Sequence, residues 1–379
     1  DDEYRVNATF SGPLSDSLGY RITGSALNDD GYAENHFNGN RINSAENYTL
    51  RGKLLWTASD DLELEWSSDF TDTDCDCNSL SVRAIRESPQ QAALLAEQLP
   101  VVPADDNQDV NNDQPTFNKT RASGHSLTLD WVVAEHVLTS ISAWREWDYK
   151  GIVDLDNRPS NPLALTFNTP PHNDVEQLSQ ELRIASTPAA WGSYVAGLFY
   201  FDQNSDSGNI TTTALLEPLV PATTRVTDTS VSSTNIALFG EVNYNLSDDW
   251  QLTLGARYTQ DKLKYRTSAV GTDNLVFGPE GMVDNSLNES DISPKIALQW
   301  NITDAAMAYV SYVSGYKGPA FDTSIVAGGR EIAAETSDAY EVGLKSAWLD
   351  NRLILNVTAF YAEYTDFQAQ ALVDEDPND

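Results

Sequence analysis

The chain has 379 residues, with 23 Lys and Arg against 57 Asp and Glu, a net charge of −34. A surface that acidic repels nucleic acid and anionic membrane faces, which excludes a nucleic-acid partner. The 2 Cys form neither a disulfide framework nor a zinc ligand set, and no apolar run approaches the roughly 20 residues of a membrane helix, yet 9 Trp and 16 Tyr are too many for a disordered polyanion.

Period-two alternation predicts about 14 strands. The first two, over 3–13 and 19–29, are joined by a short turn at Leu14–Leu18. A polar loop over 30–46 leads to strands over 47–58 and 62–72, which turn at Ser59–Asp61 and carry Trp56 and Trp66. The longest connection, 73–122, starts at Asp72-Thr73-Asp74-Cys75-Asp76-Cys77-Asn78. Its alternating oxygens are those of a calcium loop or of a plain solvated acidic one; Cys77 stands where a calcium loop has glycine and Arg83 where it has its last carboxylate. Cys75 and Cys77 read equally as a bridge or as free thiols. Ser88-Pro89 ahead of Gln90–Glu97 predicts a short capped helix, covering the mouth or packed within the loop.

Strands over 123–134 and 136–149 turn at Glu135, and the first sets Leu127, Leu129 and Trp131 against Ser126, Thr128 and Asp130. The far end of the second carries Trp144-Arg145-Glu146-Trp147-Asp148-Tyr149-Lys150. Its rings and cations suit a ligand held by stacking and charge, or an interfacial girdle. After a loop over 150–175, strands over 176–187 and 192–205 turn at Pro188–Trp191. After a loop over 206–232, strands over 233–246 and 249–266 turn at Ser247–Asp249. Here the alternation is cleanest: Trp250, Leu252, Leu254, Ala256 and Tyr258 point one way, Gln251, Thr253, Gly255, Arg257 and Thr259 the other. A loop over 267–288 precedes strands over 289–302 and 305–316, and a loop over 317–336 precedes strands over 337–348 and 352–366. These last pairs turn at Thr303–Asp304 and Leu349–Asn351.

Short turns thus alternate strictly with long loops, which describes an all-β, antiparallel transmembrane barrel with long extracellular loops. In hydrocarbon every unpaired backbone amide costs several kcal/mol, so such a sheet has to close on itself. The apolar rows then meet acyl chains. The polar rows line the lumen and put Arg51, Lys53, Arg183, Arg257 and Lys295 inside. Trp56, Trp66, Trp131, Trp250, Trp300 and Trp348 lie toward the short-turn ends, as an aromatic girdle requires.

Several stretches resemble the TonB-dependent receptor family. Gln177-Leu178-Ser179-Gln180-Glu181-Leu182-Arg183-Ile184 is similar to its mid-barrel strand. Leu238-Phe239-Gly240-Glu241-Val242 followed by Leu252-Thr253-Leu254-Gly255-Ala256-Arg257-Tyr258 is similar to its most recognisable hairpin. Ser314-Gly315-Tyr316-Lys317-Gly318-Pro319-Ala320-Phe321 resembles the start of its Gly-Tyr-Lys-rich loop, with Pro319-Ala320 where glycines are usual. Tyr340-Glu341-Val342-Gly343-Leu344-Lys345 and Asn356-Val357-Thr358-Ala359-Phe360-Tyr361 resemble the strand pair that follows.

The resemblance implies an importer in the bacterial outer membrane, in contact with its lipid and energised by the TonB complex acting on a plug inside the barrel. It implies a scarce small-molecule nutrient such as a metal chelate, above all a ferric siderophore. The family barrel has about 22 strands, and no stretch of the sequence reads as plug or as TonB-contacting segment. Residues 1–379 are therefore expected to be a partial barrel, from the second strand to the fifteenth, with the plug and the C-terminal strands outside it. Ligand contacts are expected at the mouth, from Trp144, Trp147, Tyr149, Tyr316, Lys317 and Phe321. With no nucleophile motif, phosphate loop or paired His, the chain does not read as an enzyme, and it calls for no cofactor or bound metal. A passive porin-like channel and a secreted β-rich adhesin or carbohydrate-binding protein are the competing readings.

Overall fold

The computed structural model describes residues 2–369 apart from 78–79, 85–95, 97, 153, 155–158, 160–164, 214–222, 272–279 and 323–328. Its strands are β1 (Glu3–Ser15), β2 (Leu18–Asp29), β3 (Ala33–Asn35), β4 (Asn40–Ile42), β5 (Ala45–Ser59), β6 (Leu62–Cys75), β7 (Phe117–Val133), β8 (His136–Ile152) and β9 (Leu165–Ser186). There follow β10 (Gly192–Thr213), β11 (Thr223–Asn245), β12 (Trp250–Gly271), β13 (Gly281–Thr303), β14 (Ala306–Lys317), β15 (Ala320–Asp322), β16 (Arg330–Ile332), β17 (Glu335–Trp348) and β18 (Leu353–Thr365). One 14-stranded antiparallel sheet takes them in chain order, skipping only the small hairpins β3–β4 and β15–β16. Each short turn is where the alternation puts it.

The far ends of the strands differ from expectation. β9 to β13 are 22 or 23 residues long and absorb much of the loops predicted at 150–175, 206–232 and 267–288. Stretches such as Arg225–Ser233 have no apolar face, so hydropathy is silent on them. They are held extended by cross-strand pairs such as the Thr229 and Thr267 hydroxyls, 2.8 Å apart. At about 3.3 Å per residue and a tilt near 40°, a 22-residue strand rises about 55 Å, against a hydrocarbon band about 25 Å tall. The wall is therefore about twice as tall as such a band. The predicted helix at 88–97 falls largely outside the described residues.

Register carries each face from strand to strand. Trp56, Leu64, Leu129, Leu138, Ile184, Ala196, Gly240, Leu254, Ile296 and Val310 belong to one face, and its large apolar side chains are exposed, Leu254 by 48% and Ile296 by 49%. Trp250 and Trp300 face each other at its short-turn rim, stacked at 5.3 Å. Trp66 sits higher, in a ladder with His125 and Trp144 at 6.4 and 5.7 Å. The opposite face is polar, and its side chains reach past an intervening strand. Lys295 of β13 meets Glu241 of β11 at 2.8 Å, and Arg145 of β8 meets Asp69 of β6 at 3.0 Å. Contacts of that reach need converging side chains, so the polar face is the concave one.

Beyond the sheet, the β3–β4 hairpin clasps the long loop before β7. Ala33, Ile42 and Val110 make a small buried core. Asn35 donates to the Asn112 carbonyl at 2.9 Å and accepts from the Asn112 amide at 3.1 Å.

Candidate functional site

The concave face carries Arg51, Lys53, Arg183, Arg257 and Lys295, and the partners differ. Lys53 pairs with Glu65 at 2.7 Å, Arg183 with Glu181 at 3.5 Å and Lys295 with Glu241 at 2.8 Å. Arg257 instead lies over two rings, Phe199 at 5.5 Å and Phe239 at 5.8 Å, and donates to the Thr259 hydroxyl at 3.1 Å. Arg51 has no carboxylate partner among the described residues. Sequence reading missed the Phe199–Arg257–Phe239 clamp. Its signal was there: both phenylalanines are out of phase with the apolar rows of their strands.

The Trp144–Lys150 stretch divides between the faces. Trp144 pairs with Leu178 on the convex side, and its indole donates to Glu176 at 2.9 Å. That placement takes it away from the lumen and suits a girdle. Trp147 and Tyr149 are on the concave side, stacked at 5.7 Å and within 9° of parallel. Arg145 is on the same side and crosses β7 to reach Asp69; a Cβ on the intervening Gly124 would lie 3.1 Å from its guanidinium. Asp148, on the convex side beyond Trp144, faces Asp174, and burial together with the hydrogen bond between the two acids raises its pKa.

The pairing of β13 with β14 ends at Lys295–Val313, beside Pro294, which has no N–H to offer. β14 parts from β13 there while it stays paired with β17 as far as Lys317–Glu335, and the chain then turns inward. Above the apolar band, the Tyr316 hydroxyl donates to Asp261 on the concave face of β12 at 2.8 Å. Burial and that acceptor push the phenol well above its ordinary 10.0, with Glu289 and Asp291 contributing. Phe321 is buried against Tyr265, with ring centroids 5.3 Å apart. Lys317 is exposed at the end of β14, opposite Glu335. Tyr316 to Phe321 thus strap the lumen side of β12, and Arg257, Asp261, Tyr316 and Pro319 line a cavity of about 270 Å³ there.

The acidic stretch at Asp72 is strand, and its carboxylates are engaged: Asp72 holds Arg121 at 2.7 Å and Asp74 holds Lys119 at 2.6 Å. Both are removed from the calcium-loop arrangement. Cys75 and Cys77 are joined by a disulfide at the end of β6.

A family model described as the TonB-dependent receptor-like β-barrel matches residues 2–379. The chain belongs to the TonB-dependent receptor family. Within it, a stretch of 131 residues is 26% identical to the ferric-pyoverdine 358 receptor of Pseudomonas putida, covering 35% of this chain and 15% of that protein. The ferric yersiniabactin uptake receptor FyuA of Yersinia pestis shares the fold with a TM-score of 0.75 at 20% identity, over 98% of this chain and 54% of FyuA. The siderophore receptor PiuA of Acinetobacter baumannii does so with a TM-score of 0.62 at 15% identity, over 94% of this chain and 54% of PiuA. The chain therefore spans about half the length of these two solved receptors.

Proposed function

We propose that the whole protein is an outer-membrane receptor that takes up a ferric siderophore, driven by the TonB complex through a plug carried elsewhere in the protein. One observation carries the reading: a family barrel wall, apolar outside and charged inside, whose relatives are receptors for ferric chelates. The 14 strands are then part of a barrel of about 22. Trp147 and Tyr149, stacked on the concave side near Arg145, are the side chains best disposed to meet an aromatic or anionic chelate. Tyr316 and Phe321 serve the strap, and the paired lumen charges are suited to contact with the plug.

The test is uptake of radiolabelled iron by a deletion strain carrying the intact gene, offered a panel of ferric siderophores under iron limitation. At least one should be taken up in a TonB-dependent manner. Trp147→Ala with Tyr149→Ala should raise its half-saturation concentration about tenfold, the loss of one well-placed aromatic contact. Uptake of the whole panel independent of the gene, with another nutrient depending on it, would refute the siderophore assignment. Unimpaired transport without TonB would refute the energised mechanism.

A further inference from the structure

The convex face changes character at one level on β11, β12 and β13. Ile236, Tyr258 and Ile292 end its continuous apolar rows, 52%, 45% and 66% exposed. Above them the register aligns Thr234–Lys262–Asn288, then Ser232–Lys264–Ser286, then Ser230–Arg266–Asp284. Three exposed cations follow one another on one face, each about 7 Å from the next. Arg266 is held by Asp284 at 2.8 Å, but among the described residues no carboxylate pairs with Lys262 or Lys264. Hydroxyls and an amide flank them instead.

In a chain with 57 acidic residues against 23 basic ones, neutral flanks are not the default. β7 shows the usual outcome: its convex-face cations Lys119 and Arg121 are taken by Asp74 and Asp72 at 2.6 and 2.7 Å. Neighbouring like charges repel, and an anion between them relieves the repulsion. Height points to its source. Lys262 is about 40 Å along the strand from the girdle residue Trp250, hence about 30 Å above it, just past a hydrocarbon band about 25 Å tall. Headgroup phosphates lie at that level.

We propose that Lys262 and Lys264, with Arg266 above them, form a binding stripe for the phosphates of a lipid headgroup in the outer leaflet. The inference rests on the outer-membrane placement proposed above. Its ligand is part of the surrounding membrane and is distinct from the imported nutrient.

The test uses the full-length receptor in an uncharged detergent, titrated with diphosphoryl lipid A and with its dephosphorylated form. Each lysine should contribute roughly fivefold, so Lys262→Gln with Lys264→Gln should bind the phosphorylated lipid about 30-fold more weakly. The double arginine variant should bind like the parent, as should Lys119→Gln, whose charge is already paired. Unchanged binding by the double glutamine variant would overturn the stripe. So would an equal loss toward both lipids, or an equal loss in Lys119→Gln. A receptor recovered from cells without detergent would instead overturn the membrane placement itself.

Discussion

Ile296 and Ala297 are neighbours on β13 with opposite surroundings, and a charge placed on each tests which face meets the hydrocarbon. Ile296 belongs to the convex row with Trp300, Leu298 and Ile292; Ala297 faces Thr253 and Ser311 on the concave side. From Trp300 to Ile296 is about 13 Å along the strand, or about 10 Å of height at a tilt near 40°, close to the middle of a hydrocarbon band about 25 Å tall. Arginine on the lipid face near the midplane costs about 2–4 kcal/mol, whereas a lumen position costs under about 1 kcal/mol. Ile296→Arg should therefore lower the folded-to-unfolded ratio by roughly 30-fold to 1,000-fold, and Ala297→Arg by less than about fivefold. Urea titration of the intact receptor folded in a phosphatidylcholine bilayer measures both. Were Ala297→Arg the more damaging, the row of Ala297 and not that of Ile296 would meet the apolar surroundings, and the assignment of faces would be wrong.

Three further outcomes follow from particular contacts. Tyr316→Phe removes the hydroxyl that ties the strap to Asp261, so hydrogen exchange over 316–322 should quicken while β12 stays protected; unchanged exchange would mean that Phe321 alone holds the strap. Because burial and Asp261 raise the phenol's pKa, that contact should persist up to the ordinary 10.0 and weaken only as pH rises beyond it toward the folded value. Asp148 is likewise raised, so its contact with Asp174 is strongest below the ordinary 3.8 and is lost as pH climbs through the folded value. Asp148→Asn should raise the urea midpoint at neutral pH, with an advantage that shrinks toward about pH 4; a constant advantage would show that proton sharing is not the cause. Asn35→Ala strands the buried Asn112 amide and carbonyl, each worth about 1–3 kcal/mol, so limited proteolysis between 98 and 116 should accelerate, and an unchanged cleavage rate would argue against the clasp.

The fold was legible where one face meets lipid and the other water. Trp250 to Tyr258 alternates because its environments alternate, and the segments with that contrast are strands with their short turns in place. Legibility failed beyond the apolar band, where neither face of Arg225–Ser233 is apolar and pairing with β10 and β12 keeps the strand extended. The site was less legible for a related reason. Composition marks Trp144, Trp147 and Tyr149 alike, and only register separates the convex indole from the concave stacked pair. Phase errors carried information too. Phe199 and Phe239 interrupt polar rows, and the structure uses them to hold Arg257. The inward turn of Tyr316 has no counterpart in sequence periodicity, because it lies where β14 has parted from β13 beside Pro294 and is paired with β17 alone.

The margins of the sheet set a final requirement. Among the described residues β1 pairs only with β2, and β18 only with β17. Each is a 13-residue strand, and about half of its backbone N–H and C=O groups point to the open side, roughly six of each. Within hydrocarbon each unpaired group costs several kcal/mol, so two open margins together reach tens of kcal/mol, more than the roughly 5–15 kcal/mol that stabilises a folded domain. A membrane-embedded sheet of this kind needs closing strands, which the barrel of about 22 strands proposed above would supply. Residues 1–379 expressed alone should then fail to form a compact barrel that resists dodecyl sulfate, and cysteines at Thr9→Cys and Thr358→Cys, both on the concave side, should not cross-link within one molecule. An efficient intramolecular cross-link in a compact monomer would show β1 closing directly on β18. The 14 strands would then be a barrel in their own right, and the larger parent barrel would have to be given up.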